Sequence, residues 1–105
     1  MRVATWNLEW AKPGSRRHQR CLEQLESVDA DVVVTTEHSL TDWEAYPHRV
    51  DAGTDWGYPI VDGRRKVIAW SRAPVTAPVT AWSNEIDGHR LTDHSGVAVD
   101  LSFVD

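Results

Sequence analysis

Four residues of the types used in phosphate chemistry stand at the ends of apolar segments that are far apart in the chain. Asn7 follows the first such segment, Glu37 ends the β-branched run of residues 32–36, and Asp93 and His94 precede the last apolar run. Hydrolysis of a phosphodiester needs an activated water, a cation that neutralises the phosphoryl oxygens and help for the departing oxyanion. A carboxylate, an amide and an Asp-His pair can supply these needs around a bound Mg²⁺ ion.

Each of these residues also has an ordinary structural interpretation, and the residue types alone leave both open. Glu37 could hold Mg²⁺ together with water, or it could be a solvated carboxylate at a strand end. Asn7 could donate to a phosphate oxygen or orient a metal ligand, or it could begin a turn. His94, with a reference pKa of about 6.5, could act as acid, base or phosphate donor beside Asp93, or the two residues could cap a turn.

The periodicity of apolar residues predicts the elements that would carry these groups. Alternating residues at both ends of the chain and two apolar runs between them predict strands, and a helical period predicts one helix capped by Ser15. The predicted strands cover residues 2–9, 32–36, 66–71 and 97–103, and the predicted helix covers residues 16–28. Residues 38–65, which contain scattered glycines and prolines, are expected to be mostly loop with short strands.

This order of elements predicts an α/β fold with a mixed β-sheet and one or two helices. Strand, helix and strand within the first 37 residues form a βαβ-like opening, and the order in which the strands pair is left open. A chain of 105 residues provides a single domain, residues 1–105. A domain of this size buries about 60–65% of the surface that its unfolded chain exposes.

The tetrapeptide Ala-Pro-Val-Thr occurs twice in succession, at residues 73–76 and 77–80. Because proline lacks a backbone donor, two prolines four residues apart disfavour a central strand. One interpretation of this segment is a proline-rich connector. The other is a deletion junction, at which a longer ancestor lost its middle part and similar flanking sequences were joined.

The composition excludes several classes of function. The net charge of −5 disfavours attachment to nucleic acid by bulk electrostatics, but it leaves a nuclease open because a bound metal neutralises carboxylates. Cys21 is the one cysteine, so no internal disulfide is expected. The sequence has neither an apolar run long enough to span a membrane nor an apolar signal region, and the chain is therefore expected to be cytoplasmic. The spacing of the histidines predicts no structural zinc site, and His38 is expected in an exposed loop.

Four segments, in their order along the chain, resemble motifs of the endonuclease/exonuclease/phosphatase superfamily, which includes DNase I-like nucleases. Residues 6–9 are similar to its opening motif, and residues 31–37 to the apolar strand that ends in its metal-binding glutamate. Residues 66–72 are similar to the strand that often ends in Ser-Arg, and residues 91–97 to the closing Ser/Thr-Asp-His motif. Each motif is weak by itself, whereas four in the right order are fairly specific.

The resemblance implies a role for each candidate residue. Glu37 would bind Mg²⁺, or Mn²⁺ in its place, and Asn7 would lie in the cleft for metal and phosphate and contribute to the metal site. His94 would contact the scissile phosphate, with Asp93 beside it. The implied fold is a reduced version of the DNase I-like two-sheet α/β sandwich. The implied substrate is a phosphodiester, either nucleic acid or a small phosphate ester.

The chain departs from the family pattern in its central part. No Gly-Asp-x-Asn segment precedes the closing motif, although in the family the Asp and Asn of that segment position the attacking water and the leaving group. A positioned acid or base contributes about 10²–10⁴-fold, so a hydrolase without this segment would be weakened or inactive. The alternative function is a non-catalytic remnant that acts as a binding module or as a homo-oligomer through exposed apolar surface.

Overall fold

The computed structural model describes residues 1–51, 63–91 and 96–101. Its elements, in chain order, are β1 (Val3–Asn7), α1 (Arg16–Val28), β2 (Val32–Ser39), β3 (His48–Asp51), β4 (Arg64–Ser71), β5 (Val75–Trp82), β6 (Glu85–Ile86), β7 (His89–Arg90) and β8 (Gly96–Leu101). The first four strands form one sheet in the order β1-β2-β4-β3, while β5 pairs with β8 and β6 with β7. The α/β class with a mixed sheet is therefore confirmed. One helix lies within the described residues, and it is too short and polar to cross a membrane.

The helix α1 has the bounds that the sequence predicts. Ser15 is its N-cap, because the Ser15 hydroxyl accepts a hydrogen bond from the His18 backbone N–H at 3.2 Å. Asp29 ends the helix in the left-handed conformation, with φ of 56°. The apolar face is the one predicted from the 3.6-residue period, with Leu25 buried and Cys21, Leu22 and Val28 packed against the core.

The parallel pairing of β1 with β2 confirms the βαβ opening. Val3 lies opposite Val32 and Asn7 lies opposite Thr36, with α1 in the connection between the two strands. The strand β4 runs antiparallel to β2, and β3 runs antiparallel to β4, which makes the sheet mixed. The carboxyl ends of β1 and β2 therefore lie side by side at one end of the sheet.

In the part of the chain that the structure describes, one cluster of buried apolar residues joins α1 to the four-stranded sheet. It consists of Leu8, Leu25, Ala30, Val33, Trp43, Tyr46, Ile68 and Trp70. Both tryptophans in it satisfy their indole N–H groups, as burial requires. Trp43 donates to a Glu26 carboxylate oxygen at 2.7 Å, and Trp70 donates to the Thr35 hydroxyl at 3.0 Å.

The repeated Ala-Pro-Val-Thr segment forms part of β5, so its interpretation as a connector is wrong. In a two-stranded sheet each strand keeps one open edge, where the missing N–H of a proline costs no ladder bond. The pairing of β5 with β8 also shifts register between Thr76 and Thr80, and this irregularity contains the second proline. The deletion-junction interpretation stays a prediction.

The β6–β7 hairpin was not predicted, although its turn has a local sequence signal. Asp87 and Gly88 both have positive φ, at 52° and 79°. Two consecutive residues with positive φ are typical of the two-residue hairpin turns in which Asp-Gly is favoured. The pattern was missed because the residues that flank this turn are mostly polar and exposed.

Candidate active site

The carboxyl ends of β1 and β2 bring Asn7 and Glu37 together. Asn7 lies opposite Thr36, the residue before Glu37, and the Leu8 N–H donates to the Thr36 carbonyl at 2.9 Å. The chain then stays against β2, because the Trp10 N–H donates to the Glu37 carbonyl at 2.9 Å. Ligands of α/β sheets bind at the carboxyl ends of strands, so this end of the sheet is the candidate site.

Glu37 lies within β2 rather than at its end, which corrects the predicted strand boundary. It has φ of 50°, in the left-handed region that residues with a Cβ rarely adopt. Pairing with β4 passes from Thr36–Val67 to His38–Arg65 without a pair at Glu37. A non-glycine residue held in this region costs on the order of 1–3 kcal/mol, and such residues cluster at functional sites.

The left-handed conformation recurs at the neighbouring turn. Glu9 and Trp10 have φ of 48° and 56°, so three of the five non-glycine residues with positive φ in the described part of the chain meet here. Arg17, from the first turn of α1, donates to the Glu9 carbonyl at 3.2 Å and holds the turn from the helix side. Arg17 is an exposed residue of α1, and no local sequence pattern indicates this contact.

Asn7 has one side-chain atom engaged in the turn. Its Oδ1 accepts a hydrogen bond from the Glu9 backbone N–H at 2.8 Å, in the manner of an Asx turn. The second lone pair of Oδ1 can face a cation, and the Nδ2 group can donate to an anion. Both the turn interpretation and the metal or phosphate interpretation of Asn7 are therefore compatible with its geometry.

Basic side chains border the same end of the sheet. On β4, Arg64 pairs with Ser39 and Arg65 pairs with His38. These two partners follow Glu37 directly on β2. The Arg64 guanidinium carbon lies 5.1 Å from the centroid of the Trp10 ring. Arg65 forms an ion pair with Asp51 at 3.4 Å, although its Nε lacks the alignment of a hydrogen bond. The candidate site thus combines acidic and amide oxygens with a cationic border.

The other two predicted site residues, Asp93 and His94, lie outside the described residues. Their predicted proximity to Glu37 therefore stays a prediction. Within residues 1–51, 63–91 and 96–101, no three His, Cys, Asp or Glu side chains are grouped so that they could hold a metal. Glu37 and Asn7 could each contribute an oxygen to a hydrated divalent cation at this end of the sheet.

His38 is completely buried, which corrects its predicted place in an exposed loop. Because Glu37 is left-handed, His38 turns to the same side of β2 as Thr35, and the Thr35 hydroxyl lies 2.8 Å from the His38 Nδ1. The ring of His18 on α1 packs edge-on against it, with centroids 5.6 Å apart. The Nε2 atoms of both rings are buried without a hydrogen-bond partner in the structure.

Burial, with smaller contributions from the nearby His18 and Arg49, lowers the pKa of His38 to about 4. Burial also lowers the pKa of His18, and this effect outweighs a hydrogen bond with the Ser39 backbone, which by itself would raise the pKa. Both rings are therefore neutral at pH 7. The folded state binds fewer protons than the unfolded state once the pH falls below about 6.5.

We expect the free energy of unfolding to fall as the pH is lowered from about 6.5 to about 4, with His38 accounting for about 3 kcal/mol of the loss. The sign follows from the lowered pKa, because protonation of His38 is favoured only after unfolding. Urea unfolding in EDTA at a series of pH values measures this dependence. His38→Asn should flatten it, and the matched change of exposed His89 to Asn should not. Equal slopes for wild type and His38→Asn would contradict the assignment.

An open depression of about 350 Å³ lies elsewhere, lined by residues of the loop 42–47 together with Arg49 and Trp70. It contains none of the predicted site residues. Its aromatic walls belong to the hydrophobic core, since Trp43, Tyr46 and Trp70 are all buried. We therefore assign the candidate site by the convergence of Asn7 and Glu37 and not by the size of this depression.

Comparison with known proteins gives one match. A model of the Endonuclease/Exonuclease/phosphatase family matches residues 4–104, which include Asn7, Glu37, Asp93 and His94. No curated protein and no solved structure matches the chain. Because the family model covers nearly all of the sequence and agrees with the four motifs, the chain belongs to the endonuclease/exonuclease/phosphatase family.

Proposed function

We propose that this family member is a Mg²⁺-dependent phosphodiester hydrolase with its metal site at the carboxyl ends of β1 and β2. The observation that carries the proposal is the adjacency of Asn7 and Glu37, which are far apart in sequence and meet through parallel pairing. The left-handed backbone at Glu37 supports it, because strain of this kind is retained where a side chain must be aimed at a ligand.

The oxygen donors at this place suit Mg²⁺ or Mn²⁺. Glu37 supplies a half-buried carboxylate, Asn7 supplies an amide oxygen, and Glu9 adds an exposed carboxylate two residues further on. Hard divalent cations bind through a few such oxygens and retain several waters. When bound, the cation would neutralise the phosphoryl oxygens and favour deprotonation of a water molecule.

The residues of the chain would then bind and orient the diester. Asn7 Nδ2 would donate to a non-bridging phosphate oxygen while Oδ1 stays in its turn. By the family motif, His94 would donate to the scissile phosphate or transfer a proton to the departing oxygen, and Asp93 would orient the imidazole. The roles of Asp93 and His94 rest on the family match, because both residues lie outside the described part of the chain.

We also infer that β5 and β8 belong to the second sheet of a reduced DNase I-like sandwich. They contact β3 and β4, on the part of the main sheet furthest from β1. Two sheets of a sandwich pack face to face, and the contacts of β5 and β8 with β3 and β4 would be part of such packing. To cover the β1 side of the main sheet as well, the second sheet would need further strands.

Hydrolysis of bis(p-nitrophenyl) phosphate tests the proposal. We expect the wild type to release nitrophenol with Mg²⁺ or Mn²⁺ and to be inactive in EDTA. Asn7→Asp, which keeps the oxygen of the turn and removes the Nδ2 donor, should lower kcat/KM by about 10-fold or more, since a hydrogen bond to a charged group is worth about 1.5–3 kcal/mol. The control Gln24→Ala removes an exposed amide from α1. Turnover in EDTA, or full activity of Asn7→Asp, would overturn the assignment.

A second candidate function is a non-catalytic module that associates through exposed apolar surface. The observation that favours it is β1, which is an edge strand among the described residues and on which Val3 is 59% and Trp6 is 43% exposed. An unpaired edge with apolar side chains is a site for pairing with another chain. Light scattering at high protein concentration distinguishes the candidates, because an oligomer lost on Trp6→Ser would support the module and a stable monomer would exclude it.

A further inference from the structure

A cation–π pair stands next to the proposed metal site. The Arg64 guanidinium lies over the Trp10 ring at 5.1 Å from its centroid. Arg64 is exposed and Trp10 is half-buried, so the outer side of the guanidinium faces solvent. The Trp10 backbone N–H donates to the Glu37 carbonyl at 2.9 Å, which places the turn that carries the ring beside the residue proposed to hold the metal.

Both members of the pair are held by the fold. Arg17 supports the turn that carries Trp10 by donating to the Glu9 carbonyl. Arg64 begins β4 opposite Ser39, and its carbonyl accepts a hydrogen bond from Arg65 Nη1 at 2.8 Å. The two neighbouring arginines differ in their side-chain contacts, because Arg65 is paired with Asp51 while Arg64 lies on the ring. The Arg64 guanidinium therefore already lies over the Trp10 ring without a ligand.

We propose that this pair, the Arg64–Trp10 platform, stacks an unpaired base of a single-stranded nucleic acid whose phosphate enters the metal site. This inference rests on the proposed function and names its substrate class. A guanidinium plane held on an aromatic ring can stack on a base and can also donate to a phosphate oxygen. Base stacking on such a platform is tolerant of sequence.

The charge of the chain favours a single strand over other polyanions. A duplex or an anionic bilayer is held mainly by an extended positive surface, and a net charge of −5 opposes both. A base stack needs one flat, exposed group beside the phosphate site, which Arg64 provides. The platform thus accounts for nucleic-acid binding by an acidic protein without requiring a basic face.

Fluorescence anisotropy of a labelled oligothymidylate of about 12 nucleotides, measured in EDTA, tests binding apart from turnover. We expect Arg64→Ala to weaken binding by at least about fivefold and Arg64→Lys to weaken it nearly as much, since lysine keeps the charge and loses the plane. The matched control is Arg49→Ala, which removes another exposed arginine from a tryptophan ring, at 5.8 Å over Trp70. The control should bind like the wild type.

Each contrary result has a definite meaning. Wild-type affinity in Arg64→Lys would show a simple ionic contact and overturn the platform. Equal weakening in Arg49→Ala, equal affinity for duplex, or preferred Arg64-dependent binding to phosphatidylserine vesicles would also overturn it. Arg64-dependent binding without metal-dependent diester hydrolysis would refute the proposed function and leave the platform standing. Diester hydrolysis without Arg64-dependent binding would refute the platform alone.

Discussion

Glu37→Gln is expected to lower metal-dependent diester hydrolysis by on the order of 10²–10³-fold, because charge stabilisation by a catalytic cation is worth several kcal/mol. Glutamine has the size of glutamate and retains an amide oxygen, but it lacks the negative charge that would hold the cation. The backbone contacts of Glu37, including its carbonyl bond from the Trp10 N–H, do not depend on that charge. The loss should therefore be a loss of function in a folded protein, measured as kcat/KM with thermal unfolding in parallel.

Glu37→Gly separates the role of the side chain from the role of the backbone. Glycine adopts φ of 50° without the cost that a Cβ imposes, about 1–2 kcal/mol, so this variant should unfold no more easily than the wild type while being inactive. Glu23→Gln is the matched control, since Glu23 is an exposed glutamate on α1. Retained activity in Glu37→Gln, or clear destabilisation of Glu37→Gly, would show that Glu37 is a structural residue.

The features predicted correctly from the sequence are those specified by local chemistry. The helix α1 follows from apolar residues at helical spacing and from Ser15, whose hydroxyl can cap only the turn beside it. The order in which the strands pair was left open, and the structure supplies it, because the parallel pairing of β1 with β2 places Asn7 opposite the residue before Glu37. The family motifs added roles to these residues, and the fold brings two of the four together.

The features that were missed depend on contacts between distant segments. A glutamate inside a strand in the left-handed conformation has no local signal, since its backbone is held by Trp10 from the turn after β1. The burial of His38 follows from that conformation, so the error in its predicted exposure has the same cause. The contact of the exposed Arg17 with the Glu9 carbonyl was missed for a related reason, because that carbonyl belongs to another element.

Trp70→Ala is expected to destabilise the protein by about 3–5 kcal/mol, the cost of removing a large aromatic side chain from a core. Trp70 is 2% exposed and packs against the rings of His38 and Trp43, with both pairs of centroids 5.3 Å apart. A domain of this size is stable by about 5–15 kcal/mol, so the change removes a large share of its stability. Urea unfolding measures the effect. Trp82→Ala is the control, because Trp82 is 45% exposed. This substitution should lower the free energy of unfolding by about 1 kcal/mol or less.

Two milder variants separate the contribution of the Trp70 hydrogen bond to stability from the contribution of its side-chain volume, even if Trp70→Ala does not fold. Trp70→Phe keeps most of the ring and removes the donor to the Thr35 hydroxyl, and Thr35→Val removes the acceptor. The costs of the two single changes should add up to more than the cost of the double change, because Thr35→Val alone leaves the buried Trp70 N–H without its acceptor and that penalty disappears when Trp70 is also replaced. Thr35 also lies 2.8 Å from His38 Nδ1, so Thr35→Val should be the more costly of the two. Strict additivity in this double-mutant cycle would show that the two side chains are not coupled and that Trp70 stabilises the core through packing alone.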